Sequence, residues 1–339
     1  MPGARAARDF LCPRGVDLRI WRNLSTITDF IHGESVFMSK LTVSQADEKS
    51  VKGLGFLRNR GTDNFSARTL TVNGRITADA MICLCEAAKL YGNGNLTLTS
   101  RLSVECPGIP FENIPAFRDY IAKAGLTTGG TGAKVRPIVA CKGTLCRFGL
   151  IDTFAIAEQM HERFYKRLHG LTLPHKFKIA VSGCPNKCVK PDLNDVGIIG
   201  QLVPQVERAQ CRNCAKCIVE DSCPMRAPYR RDGALSIDRA KCANCGGCVS
   251  RCPFGAVTPA TRGYKIFIGG RWGKQCAAGT PLRRIFTDSG EVLDVVERAI
   301  NFFANYGRPG ERFGATIARY GFDFVEAALT DQHSTVDIK

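Results

Sequence analysis

No run of about 18 apolar residues occurs in the chain, so no helix is expected to cross a membrane. Arg5 and Arg8 near the start are not followed by an apolar stretch, which leaves no secretory signal to expect. No nucleotide-binding glycine fingerprint is evident, so nicotinamide or flavin chemistry would belong to a partner. Acidic residues are in short supply: 31 Asp and Glu face 47 Lys and Arg, a formal charge of +16. Such an excess marks a nucleic-acid binder unless something inside the molecule consumes it. The cysteines settle that.

There are 17 of them. Twelve fall into three tight groups, and Cys12, Cys83, Cys85, Cys106 and Cys276 are scattered. A disulfide framework would be small, secreted and evenly spaced, whereas clustering without a signal favours thiolate ligands in a reducing, cytoplasmic setting. Cys141 and Cys146, with Cys184 and Cys188, make two close pairs separated by a helical insert and can hold one iron–sulfur cluster. Cys242-x2-Cys245-x2-Cys248-x3-Cys252-Pro253 is the bacterial ferredoxin run, and Cys211-x2-Cys214-x2-Cys217-x5-Cys223-Pro224 repeats it with a longer last spacer. In that motif three cysteines on a tight loop grip one cluster and the fourth crosses to the other. Cys211, Cys214, Cys217 and Cys252 are therefore assigned to one cluster, and Cys242, Cys245, Cys248 and Cys223 to the second. A zinc ribbon also uses Cys-x2-Cys pairs, but two three-plus-one sets ending in Cys-Pro fit two cubanes better. Each [4Fe–4S] unit with four thiolates carries roughly −2, so three remove about six positive charges. Much of the basic excess is then internal counter-charge, and no nucleic-acid partner is expected. The remainder suits acidic electron donors.

With 339 residues, 44% of them hydrophobic, the chain can build two or three cores. Residues 1–50 are read as an N-terminal extension; 1–37 show no packing pattern, Met38 would serve as a start, and Cys12 is a bystander. Residues 51–130 read as a small α+β unit. Its strand covers 68–72, Thr77 caps a helix ended by Gly92, residues 95–100 alternate as a strand, and 111–124 form a helix stopped by Gly125. Cys83 and Cys85 are packing residues in the first of these helices. Residues 131–206 and 260–330 form a further domain. It has a helix over 152–168 whose Ile156, Met160, Phe164 and Leu168 make a buried stripe, and strands over 176–182, 195–200 and 264–268. Helices are expected over 290–306 and 309–320, and His161 and His169 are read as surface residues. The inserted module is residues 207–259.

Cys141-Lys142-Gly143-Thr144-Leu145-Cys146-Arg147-Phe148-Gly149 and Gly183-Cys184-Pro185-Asn186-Lys187-Cys188 resemble the sirohaem-dependent sulfite and nitrite reductase family. The inserted two-cluster module is similar to that of dissimilatory sulfite reductases and of anaerobic sulfite reductase. The likeness runs from about Gly53 onward, and implies an α+β fold. It comprises a ferredoxin-like half-domain, a sirohaem/[4Fe–4S] domain and an inserted bacterial two-[4Fe–4S] ferredoxin domain. By that resemblance Cys141, Cys146, Cys184 and Cys188 hold a third cluster, and Cys188 bridges to sirohaem. The first pair is Cys-x4-Cys here, one residue shorter than the family's usual spacing. Pro174-His175-Lys176-Phe177-Lys178 resembles the family's Pro-Arg-Lys-Phe-Lys strand, so Lys176 and Lys178 are expected to line the substrate pocket. Thr99-Ser100-Arg101 resembles the Thr-x-Arg-Gln element, with Leu102 in place of glutamine, and Arg68 sits where the family places another anion-binding arginine. Arg147, Arg271 and Lys274 are candidates for the tetrapyrrole carboxylates.

The implied activity is six-electron reduction of sulfite to sulfide, with electrons arriving through the ferredoxin module. Substrate oxygens leave as water, so fixed cations that neutralise and protonate them are what the chemistry needs. Reduction of nitrite to ammonia makes the same demands, and a haem-free electron-transfer subunit is the other alternative. The chain holds one copy of a unit that larger family members carry twice. A homodimer, or a complex with related or electron-donating subunits, is expected.

Overall fold

The computed structural model describes residues 43–168 and 170–331. Cys12, Met38 and His169 lie outside the described residues. Helix α1 (Gln45–Gly53) opens on Ser44, whose hydroxyl accepts from Asp47 N at 3.1 Å. It straddles the boundary expected at residue 50, and Val43, inside the expected extension, packs against the same core as the buried Val51. The sequence there is polar enough to be mistaken for a tail.

β1 (Phe56–Arg58), β2 (Asn64–Thr69), β4 (Val104–Pro110) and the short β3 (Thr97–Leu98) pair antiparallel in the order β1-β2-β4-β3. Helices α2 (Ala78–Tyr91) and α3 (Ile114–Ala122) share a core with this sheet, built on Phe56, Phe65, Leu84, Ile109 and Phe117. Thr77 caps α2, as its place before the apolar run requires, by accepting from Ala80 N. The strand expected over 68–72 ends at Thr69, because Leu70 N turns to Thr127 O instead of the sheet.

The larger core surrounds a sheet ordered β11-β10-β7-β6-β5. β5 (Val139–Ala140), β6 (Ile179–Ser182) and β7 (Val196–Val206) run parallel, whereas β10 (Val257–Ile268) pairs antiparallel with β7, and β11 (Thr280–Pro281) closes the edge. All four residues of β6 are buried, so it does not alternate as expected; both of its faces are covered. Helix α4 (Thr153–Met160), capped by Asp152, continues as a π-helical turn over His161–Lys166. Ile156, Met160 and Phe164 are buried as the periodicity predicts. The buried face is two rows wide, however, and the second row is Ala157, His161 and Tyr165. His161 is thus a core residue, stacked on Tyr165 at 5.0 Å, rather than a surface one. Between β7 and β10 the chain adds α5 (Ile218–Asp221) and a hairpin of β8 (Pro228–Arg231) and β9 (Ala234–Ile237), turned by Asp232-Gly233, both at positive φ. Val206 pairs with Val257 and Glu207 N donates to Ala256 O at 2.9 Å, so residues 207–256 leave and rejoin the sheet at one point. Their small core is Val219, Leu235 and Val257, with Cys211, Cys217, Cys248 and Cys252 packed against it.

Helices α6 (Ser289–Tyr306), α7 (Phe313–Tyr320) and α8 (Phe322–Thr330) complete the larger core. The expected final helix starts later than Pro309, and α8 follows it unannounced. Only Gly321, at φ 89°, separates the two. Phe177, Phe303 and Phe313 meet in a triangle with centroids 5.3–5.8 Å apart. Beside it Asp195, with no exposed surface, accepts through both oxygens from Arg312 Nη2 at 2.9 Å and through Oδ2 from Lys178 N at 2.9 Å. Burial pushes the Asp195 carboxyl up, and Arg312 pulls it back. Arg312→Ala leaves that carboxylate buried and unpaired, and is expected to cost about 3–5 kcal/mol in denaturant unfolding.

Candidate functional site

Both central cysteine pairs sit where parallel strands end. Cys141 follows β5, and its N–H donates to Val181 O at 3.0 Å; Cys184 and Cys188 follow β6. Gly143 and Gly183 let the two loops touch, since a Cβ on Gly183 would lie 2.8 Å from Gly143 Cα. Gly183 N donates to Cys141 Sγ at 3.1 Å, a contact that suits a thiolate. Burial pushes the Cys184 thiol up, and Cys141, Cys188 and Cys146 add to the rise, so the four sulfurs share one neighbourhood.

The other eight cysteines line two cavities, four in each. Cys211, Cys214, Cys217 and Cys252 line a small cavity with Val219, Arg230 and Phe254. Cys223, Cys242, Cys245 and Cys248 line a larger one, of about 510 Å³. Burial first, then Cys242, Cys245 and Cys223, push the Cys248 thiol up to about 11. The two halves repeat at the backbone. Asn213 and Asn244, each just before the second cysteine of a run, have φ 45° and 52°; Arg226 and Gly255, each three residues after the fourth, have φ 50° and 68°. Asparagine tolerates that left-handed conformation better than most residues. Lys187, just before Cys188, repeats it at φ 53°. Among the described residues no three His, Cys, Asp or Glu side chains are grouped closely enough for a single metal ion. The eight thiols of residues 207–256 are instead spread around two open volumes, an arrangement with room for a multi-iron cluster in each.

A second concentration of chemistry lies at the opposite ends of the same strands. Lys176 and Lys178 flank the buried Phe177 just before β6, on one face as alternation predicts. About 13 Å of strand separates Lys178 from Ser182, beyond which Cys184 lies. Arg101 reaches this basin from the half-domain, donating to Asn194 Oδ1 at 3.0 Å and Pro137 O at 2.8 Å. Arg68 is committed to Glu105, through Nε at 2.8 Å and Nη2 at 2.7 Å, and to Gly130 O. Arg271 lies within electrostatic reach of His175 and Lys176, while Lys274 is exposed on the same loop. Arg147 is elsewhere. It is exposed, lies over the Phe148 ring at 5.0 Å, and shares the 510 Å³ cavity with Cys184 and Cys223.

Sequence reasoning missed Arg136 and Arg312. Arg136 N donates to Phe177 O at 2.8 Å and its side chain to Gly130 O. Arg101 Nε and Arg136 Nε are buried without a partner, and neither lysine ammonium has a carboxylate at ion-pair distance among the described residues. Burial and neighbouring cations push Arg101 and Arg136 down to about 10, and Lys178 to about 8, with Arg101, Lys176 and Arg312 the cations facing it and Asp195 opposing them. The basin is short of negative charge.

Residues 131–335 match the family described as nitrite and sulphite reductase 4Fe-4S domain, and residues 58–124 match the nitrite/sulfite reductase ferredoxin-like half domain. The chain belongs to the nitrite and sulphite reductase family. Among family relatives, a coenzyme F420-dependent sulfite reductase of Methanocaldococcus jannaschii is 30% identical over 233 residues, covering 68% of this chain and 36% of that protein. The chain thus spans about a third of that enzyme. An uncharacterised protein of the same organism is 30% identical over 261 residues, covering 77% of this chain and 89% of that protein. The crystal structure of dissimilatory sulfite reductase I superposes with a TM-score of 0.64 at 22% identity, over 80% of this chain and 70% of that one. No helix among the described residues is long and apolar enough to cross a membrane.

The lowered Lys178 pKa has two consequences, one for binding and one for stability. Anion affinity, measured by calorimetry with sulfate, is expected to fall as pH rises through about 8, and Lys178→Gln to remove that step. Stability is expected to rise between about pH 8 and the ordinary lysine value of 10.5, where the unfolded chain still holds the proton that the folded chain has released.

Proposed function

We propose that the protein is a sirohaem-[4Fe–4S] oxidoreductase that reduces sulfite to sulfide. The observation that carries the reading is the convergence of Cys141, Cys146, Cys184 and Cys188 at the ends of two parallel strands, in a chain of this family. The donor set fits a cluster: four thiols and a backbone N–H aimed at one sulfur. The basin fits a polyanion, because among the described residues Arg101 Nε and Arg136 Nε are buried without acceptors and Lys176 and Lys178 have no carboxylate at ion-pair distance. Cys188 is proposed to join cluster and sirohaem. Arg101, Arg136, Lys176, Lys178 and Arg271 are proposed to bind carboxylates of the tetrapyrrole or oxygens of the substrate, with Arg68 and Lys274 at the margin.

Sirohaem, when bound, supplies an open iron site and a path for electrons. The chain's own groups do the rest. Ammonium and guanidinium donors hold the substrate oxygens, neutralise the charge that grows on them, and deliver protons so that each leaves as water. Lys178, with its lowered pKa, is the group best prepared to give up a proton and take another from solvent. Electrons are proposed to arrive through residues 207–259, read as an inserted two-[4Fe–4S] ferredoxin domain; its two cysteine sets and repeated backbone support that reading. The domains proposed are residues 51–130, which α1 extends back to Gln45, residues 131–206 with 260–330, and residues 207–259. Cations and central thiols lie at opposite ends of β5 and β6. That separation favours an assembly, a homodimer or a complex with an electron-donating subunit, in which a second subunit contributes to each site. A thiolate-rich protein of this kind belongs in a reducing, cytoplasmic compartment.

Protein made with sirohaem supply and purified without oxygen is expected to show sirohaem absorption bands that shift when sulfite meets the reduced form. Iron–sulfur absorption without haem bands, despite full cluster loading, would sink the reading and leave an electron-transfer subunit. Rates with sulfite and with nitrite decide between sulfide and ammonia as the product. In the active protein Lys178→Ala is expected to lower kcat by about 10²–10³, as loss of one preorganised charge donor does.

A further inference from the structure

Strand β7 orders the three cysteine sets. Gly200 and Leu202 are two residues apart on it, so they face the same way and lie about 7 Å from one another. Gly200 packs on the carbonyl before Cys184: a Cβ there would be 2.4 Å from Gly183 O. Leu202 N donates to Asn244 O at 2.7 Å, and the Leu202 side chain covers Gly246, between Cys245 and Cys248. The central loop and the second module loop are therefore seated side by side. One cavity is lined both by Cys184 and by Cys223, Cys242, Cys245 and Cys248. The smaller cavity, that of Cys211, Cys214, Cys217 and Cys252, touches no central cysteine. It shares the buried Val219 with the larger one.

Resting on the function proposed above, we infer that the module is a wire of fixed order. Electrons enter at the Cys211–Cys252 set, pass Val219 to the Cys223–Cys248 set, and leave past Arg147 for the Cys141–Cys188 set. Each electron that moves oxidises the cluster it leaves by one unit and reduces the next by one. An external one-electron donor refills the first. Arg147 is the positioning charge at the last junction, since a fixed cation favours the reduced, more negative state of the clusters nearest it. This places Arg147 with the electron path rather than with the tetrapyrrole. Arg212 has the corresponding place at the outer set, whose cavity it lines.

The test uses the full chain loaded with its clusters, read by electron paramagnetic resonance during a redox titration. Arg147→Gln is expected to lower the potentials of the central and Cys223–Cys248 clusters and leave the third unmoved. Arg212→Gln is expected to move only the Cys211–Cys252 cluster. Spin coupling seen on the central cluster is expected to vanish in Cys245→Ala and persist in Cys214→Ala. Coupling that vanishes in Cys214→Ala and survives in Cys245→Ala would overturn the order, as would an Arg147→Gln shift confined to the outer cluster or absent altogether. None of these signals needs sirohaem or sulfite. Failure to bind haem with the coupling intact removes the reductase reading alone, reversed coupling in a haem-bearing protein removes the order alone, and a chain that loads no clusters removes both.

Discussion

The position of β7 is the constraint on which the rest depends. It lies between a parallel partner, β6, and an antiparallel one, β10, and is buried over most of its length. Residues along or just before it hold each feature in turn. Asp195 fixes the backbone of Lys178, Gly200 receives the Cys184 loop, Leu202 receives the Cys245 loop, and Val206 marks where the module departs. A strand rises about 3.3 Å per residue, so this spacing is rigid to a degree that loops alone cannot match. Because β6 and β7 run parallel, the chain must return from the end of one to the start of the next. That return carries Cys184, Cys188 and Asn194 past both ends of the sheet.

The basin at the other end is an electrostatic liability in the protein alone. Arg101, Arg136, Lys176, Lys178 and Arg312 press on one another, and Asp195, tied to Arg312, is the carboxylate set among them. Like charges brought together out of water lower each other's pKa, and an anion arriving there reverses the penalty. The half-domain answers the same problem locally by giving Arg68 its own partner, Glu105. This distinction separates an arginine occupied with its own fold from those held short of an acceptor.

What could be read from the sequence was what is local in sequence. The Thr77 cap, the Gly92 and Gly125 stops and the Ile156, Met160 and Phe164 stripe of α4 all depend on residues a few positions apart, and the structure bears them out. The family was legible too, through the loops at Cys141 and Cys184. Arg136 and Arg312 were not. Arg136 meets the lysines only because β5 and β6 pair in parallel, and Arg312 meets Asp195 across 117 residues of chain. His161 was misread because one apolar row was counted where two are buried. Strand β6 was expected to alternate because Lys176 and Lys178 precede it; the alternation belongs to the lead-in, and the strand itself is wholly inside.

Residues 207–256 hang from a neck two strands wide, closed by Val206 and Val257. Below that neck the β7–β10 ribbon is paired strand to strand, and Leu202 N, which donates to Asn244 O at 2.7 Å, gives the module a second footing on the sheet. In genetic terms the stretch is a cassette with two anchors: its ends are already joined at the neck, and any segment exchanged for it has to offer Leu202 N an acceptor in place of Asn244 O. Changes that respect both anchors can then accumulate between Val206 and Val257 independently of the strands below.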